Sequence, residues 1–114
     1  MEQISKKLIE HGIDTNGVIE RLGGNKKLYL TICKKFVQDK SYPAIKKAVA
    51  AGDLMEAGTH IHTLKGVAAN LGFIYLYSLC NRLLDELKHN ETKYFEMDIL
   101  KLCQECDLLI SILS

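Results

Sequence analysis

No run of about 18 consecutive apolar residues occurs anywhere in the 114-residue chain, so no membrane-spanning helix is expected. Residues 1–10 are polar and charged, unlike the apolar core of a secretory signal, and a cytoplasmic protein is the resulting expectation. Charge of one sign is missing too. Fifteen Lys and Arg stand against fourteen Asp and Glu, a net +1, without the basic excess that nucleic-acid binding usually needs. Alternation of apolar and polar residues with a period of two is nearly absent, which argues against sheet. There is one proline, and no linker, internal repeat or low-complexity segment, so residues 1–114 read as a single domain. A phosphate-cradling loop is absent as well: Gly23-Gly24-Asn25-Lys26 lacks the P-loop spacing, and no set of kinase motifs appears. The chain is therefore not expected to phosphorylate itself from ATP.

What is present is an ordinary globular composition, 47% hydrophobic and 25% charged. For 12.8 kDa, surface scaling leaves about 6,300 Å² exposed, which suffices for a core without covalent staples. The charges are uneven along the chain. Residues 1–52 hold ten Lys and Arg against five acids; residues 53–114 hold five against nine. Pairs such as Lys26-Lys27, Lys34-Lys35 and Lys46-Lys47 read as solvated helix faces. Four cysteines are present, and Cys103 and Cys106 have the C-x-x-C spacing of metal and redox sites. No second ligand pair follows, and both cysteines fall among Ile99, Leu102, Leu109, Ile110 and Leu113 at helical intervals. Packing is the favoured reading for them, as for Cys33 and Cys80, with zinc or redox chemistry the competing one.

Apolar stripes with a 3.6-residue period recur along the whole chain, which predicts an all-α fold. Ile4, Leu8 and Ile9 suggest a short helix stopping at His11-Gly12. Asp14 or Thr15 can cap a second one through Val18, Ile19 and Leu22, closed by Gly23-Gly24. Asn25 caps a longer helix whose stripe runs from Leu28 and Tyr29 through Phe36 and on to Ile45 and Val49. Pro43 predicts a kink near residues 40–43 rather than a stop, with Ser41 available as a cap if the helix breaks. Gly52 ends this element, Asp53 caps the next to about Asn70, and Leu71-Gly72 makes a tight junction to a helix through Leu87 or Lys88. Thr92 is a plausible cap for the last, which runs to about Ile112. These elements predict an antiparallel up-down four-helix bundle preceded by one or two short helices.

Residues 53–70 carry the chemistry. In projection Leu54, Ala57, Ile61, Leu64 and Ala68 form the core stripe, and His62 points about 130° away from its centre. Around His62 on that surface lie Gly58, Lys65, Gly66 and Ala69. Two interior glycines cost up to about 1 kcal/mol each in helix propensity. In exchange they leave the imidazole clear and let another protein approach the backbone. Lys65 sets a cation where an anionic group on the imidazole would sit. An exposed histidine with clearance and one cation suits a nucleophile receiving an anionic group. It does not suit a metal site, because no second ligand shares the face. His11, His60 and His89 read as structural or solvated. The competing reading makes His62 a surface histidine beside incidental glycines, in a non-catalytic adaptor or dimerisation bundle.

The run His62-Thr63-Leu64-Lys65-Gly66-Val67-Ala68-Ala69-Asn70-Leu71-Gly72, followed by Leu76, Cys80 and Leu83, resembles the signature of histidine-containing phosphotransfer (HPt) domains. Leu22-Gly23-Gly24-Asn25 and Ala50-Ala51-Gly52-Asp53-Leu54 resemble bacterial members, so the likeness covers about residues 15–90. It implies a bundle that accepts a phosphoryl group from a receiver-domain aspartate onto His62 and passes it to another receiver. Lys65 would assist electrostatically, Gly66 would give clearance and Gly72 would permit the tight junction. The expected partners are response-regulator receiver domains and an upstream, often hybrid, sensor histidine kinase. Mg²⁺ is expected on the receiver and no metal or cofactor on this chain, which would act as a monomeric phosphocarrier and not as an enzyme. Gly58, Ala69, Tyr77 and exposed parts of Phe73 are the expected docking surface. One departure stands out: where the family often has Glu after Leu83, this chain has Leu84, with Asp85 and Glu86 beyond.

Overall fold

The computed structural model describes residues 2–114, and every regular element among them is a helix: α1 Glu2–Glu10, α2 Thr15–Arg21, α3 Lys26–Val37, α4 Ser41–Ala50, α5 Leu54–Leu71, α6 Ile74–Lys88 and α7 Phe95–Leu113. The starts of three helices follow from capping chemistry. The Asp14 carboxylate accepts the Gly17 N–H at 3.0 Å, Asn25 Oδ1 accepts the Leu28 N–H at 2.9 Å, and Asp53 accepts the Glu56 N–H at 3.1 Å. Each satisfies a first-turn donor that has no partner within its helix.

Two boundaries differ from expectation. The stripe from Leu28 to Val49 is not one kinked helix but two separate ones, α3 and α4. Ser41 is the first helical residue rather than a cap, and its N–H goes to the Asp39 carboxylate at 2.8 Å. Pro43 then sits in the first turn of α4, where a missing N–H costs nothing because no carbonyl in the helix would accept it. Nor does Thr92 cap α7. Tyr94 holds the cap position with no side-chain bond, and Thr92 contributes its backbone carbonyl to the Phe95 N–H at 3.2 Å. The last helix ends at Leu113, as expected to within a residue.

The chain forms an all-α bundle. Connections of three residues between α4 and α5, two between α5 and α6, and six between α6 and α7 reverse its direction each time. α5 packs between α4 and α6, while α7 lies against α6 and α3, with α1 along it. Tyr29, Cys33, Ile45, Ile61, Leu64, Ala68, Leu76, Cys80, Leu83, Leu102, Cys106 and Leu109 interlock in one continuous core. Burying a Leu or Ile of this kind contributes roughly 1.5–3 kcal/mol. The accessible surface, 7104 Å², exceeds the scaling value because the bundle is a rod of 42 × 22 × 21 Å and not a sphere.

At the α5–α6 junction the glycine is required twice over. Gly72 has φ +75°, and a Cβ there would lie 2.5 Å from Val18 Cγ2 of α2. This turn fixes the register of the two central helices, and hence what lies beside the outward face of α5.

Candidate functional site

α5 presents the two faces that its sequence demands. Ala57, Ile61, Leu64 and Ala68 are fully buried, whereas His62, Gly66 and Ala69 are exposed on the opposite side. His62 thus stands on a rigid helix with its backbone fixed by core packing on either side. The other histidines are engaged elsewhere. The His11 ring N–H reaches Glu105 at 2.8 Å, His60 pairs with Glu56 at 2.8 Å one turn back, and His89 Nδ1 bonds the Asp85 carbonyl at 2.9 Å. Among the described residues, no such partner is found for His62.

The two glycines beside His62 play different parts. A Cβ on Gly66 would meet nothing within 4 Å, so the space one turn beyond the imidazole is open. A Cβ on Gly58 would lie 3.3 Å from Leu87 Cδ1. Gly58 is half-buried and seats α6 against α5, so the clearance around His62 comes from Gly66. Lys65 is half-buried, and its Nζ lies 5.6 Å from the centroid of the half-buried Tyr77 ring on α6. Phe73 departs from expectation. It is 1% exposed and packs edge-on against Phe36, ring centroids 5.4 Å apart, so it offers no surface to a partner. The cause is its position in the turn before α6, where the ring folds inward.

The residues after Leu83 place no carboxylate at His62. Leu84 is half-buried, and Asp85 is exposed with its carboxylate 3.4 Å from His89 Nδ1. Glu86 turns into the α6–α7 seam with Asp98, where Arg82 Nη1 lies 3.4 Å from Asp98 Oδ1. Burial, reinforced by the neighbouring Asp98 carboxylate, pushes the Glu86 carboxyl up to about 7. One oxygen of each carboxyl is buried without a hydrogen-bond partner, so ionisation of Glu86 in this seam is costly. Sequence reading passed over this pair and the His11–Glu105 tie. A signal existed: Asp98 and Glu105 fall on the same helical face as Leu102 and Leu109, where only buried residues belong.

All four cysteines are free thiols. Burial pushes Cys33 up to about 11 and Cys80 up to about 12, and it raises Cys106 further, so these three thiols are held in the unreactive form. Among the described residues no three of His, Cys, Asp and Glu stand close enough to hold a metal ion.

A family model described as Hpt domain matches residues 39–111. The chain belongs to the Hpt domain family. The match spans α4 to α7, the helices that build and flank the His62 face, while α1 to α3 lie outside it. No curated protein and no solved structure matches the chain. Hpt domains are helical phosphocarriers of two-component signalling rather than kinases, and their partners are receiver domains and histidine kinases. No helix among the described residues of this Hpt domain is long and apolar enough to cross a membrane.

Proposed function

We propose that this Hpt domain accepts a phosphoryl group on His62 from the phosphoaspartate of one receiver domain and donates it to the aspartate of another. What carries this reading is the outward placement of His62 on a packed helix, with open space at Gly66 one turn away. The unprotonated ring nitrogen attacks phosphorus in line. A nitrogen–phosphorus bond forms, the bond from phosphorus to the aspartyl oxygen breaks, and the carboxylate leaves with the electron pair. The other ring nitrogen keeps its proton. Transfer of this kind runs through a loose transition state, so positioning and charge neutralisation supply most of the catalysis. Core packing of α5 positions the imidazole, and Lys65 supplies a cation within the same helical turn. Mg²⁺ belongs to the acidic cluster of the receiver, where it neutralises phosphoryl charge.

Docking uses the low-relief surface around His62, with Gly66 and Ala69 exposed and Gly58 and Tyr77 at its edge. On this reading the chain works as a monomer in the cytoplasm, in brief encounters with receivers released from an upstream sensor kinase. The test is incubation with a panel of phosphorylated receivers and Mg²⁺, beside a His62→Gln variant. Acid-labile, base-stable label on the wild type alone is the expected result. A wild type that takes no label from the whole panel would instead make the bundle a helical adaptor.

A further inference from the structure

Lys65 is the one cation that the His62 signature contributes, yet its ammonium is turned toward an aromatic ring. The contacts of α5 with α6 show in which direction. Gly58 meets Leu87 and Lys65 meets Tyr77, so the level of His62 falls between these two rungs. Counted from the Gly58–Leu87 level at about 1.5 Å per residue, Tyr77 lies about 15 Å along α6 and Lys65 about 10.5 Å along the antiparallel α5, so Tyr77 stands near the level of Ala68, beyond Lys65 on the side away from His62. A ring centroid 5.6 Å from an ammonium is within cation–π range. Both side chains are half-buried, which limits competition from water.

We propose that Tyr77 is a positioning residue for Lys65: its ring holds the ammonium off the imidazole while His62 is unmodified and yields it once a phosphoryl group is present. The proposal rests on His62 being the acceptor. An ammonium beside the neutral ring would donate a hydrogen bond to the lone pair that must attack phosphorus, and so would block it. Held over Tyr77, it leaves that lone pair free. A phosphoryl group is a stronger partner than a ring face, because ionised hydrogen bonds to phosphate oxygens exceed a cation–π contact. The ammonium then swings back toward His62. Tyr77 thereby stabilises the unphosphorylated state alone, which biases the carrier toward passing its phosphoryl group on.

The readout is the equilibrium ratio of phosphoryl group on this chain to that on a receiver. Docking contacts change the rate of approach to that ratio and not the ratio itself, so a merely adhesive role for Tyr77 leaves it untouched. Tyr77→Leu is expected to shift the ratio toward this chain by about two- to five-fold, the worth of an exposed to part-buried cation–π contact. Tyr77→Phe, which keeps the ring, restores the wild-type ratio. In a Lys65→Met background Tyr77→Leu has no effect, because the two residues act as one unit. An unchanged ratio in Tyr77→Leu, a shift toward the receiver, or the same shift in the Lys65→Met background overturns the proposal. Wild-type chain that takes no label overturns both this proposal and the acceptor role of His62; label with an unchanged ratio overturns only this one.

Discussion

Replacing Gly66 separates stability from transfer, because the glycine harms the first and serves the second. The residue lies inside α5, and a Cβ there would meet no atom within 4 Å. Nothing in the fold opposes a side chain. Gly66→Ala thus gains the intrinsic difference between the two residues in a helix interior, about 0.8–1.0 kcal/mol. For a domain of this size that corresponds to a rise in melting temperature of about 3–4 °C, read by circular dichroism. Gly66→Leu keeps most of the gain, since leucine is nearly as good a helix former. Its side chain, however, stands one turn from His62 on the exposed face that a receiver must approach. Extra methylenes forced into a close-packed contact cost typically about 1–3 kcal/mol. Expressed as a rate, this slows phosphoryl transfer by about 5- to 150-fold. The expected outcome is a more stable protein that transfers poorly. A Gly66→Ala variant that melts lower would show that the glycine serves packing. A Gly66→Leu variant that melts higher and transfers at the native rate would refute the clearance argument itself.

Gly72→Ala should do the opposite at the other end of α5. The left-handed backbone costs an alanine roughly 1–2 kcal/mol, and the Cβ must displace Val18, so the midpoint of urea denaturation falls clearly below wild type. Glu86 makes stability depend on pH. Its carboxyl rises from an ordinary 4.5 to about 7 in the fold, through burial first and Asp98 second, with Arg82 opposing and Glu91 adding to the rise. The fold therefore binds the proton more tightly than the unfolded chain. The stability this gives is complete below about pH 4.5 and is lost as pH rises through 7. Glu86→Gln should flatten the urea midpoint between pH 5 and 8, and an unaltered slope would contradict the raised, buried Glu86 carboxyl. Titration with a thiol reagent should modify the half-buried Cys103 first, with Cys33, Cys80 and Cys106 reacting only as the protein unfolds. Rapid reaction of two thiols in the native state would favour redox chemistry at Cys103 and Cys106.

Much of this molecule is legible in its sequence because caps and helix faces are local properties. Asp14, Asn25 and Asp53 act on donors two or three residues ahead, and the projection of residues 53–70 fixes His62 outward whatever packs behind it. What was not legible depends on a neighbour remote in sequence. Gly58 looks like Gly66 in projection, yet Leu87 occupies its space and leaves that of Gly66 open. Phe73 turns inward because Phe36 offers a ring edge to pack against. The stripe through Pro43 is continuous in pattern although the helix is not, since periodicity records which residues face the core and not whether the hydrogen-bond ladder is unbroken. The Glu86–Asp98 seam likewise needs α6 and α7 side by side before either acid has a reason to be buried.

The claim on which the account turns is that one exposed histidine carries the phosphoryl group. Mapping the modification by peptide mass analysis, under conditions that preserve phosphorus–nitrogen bonds, tests it most directly. The account predicts a single phosphoryl group on His62, and none on His62→Gln, whose melting temperature is unchanged because exposed substitutions alter stability by less than about 0.5 kcal/mol. A phosphoryl group found on His11, His60 or His89, or retained by the His62→Gln chain, would contradict it.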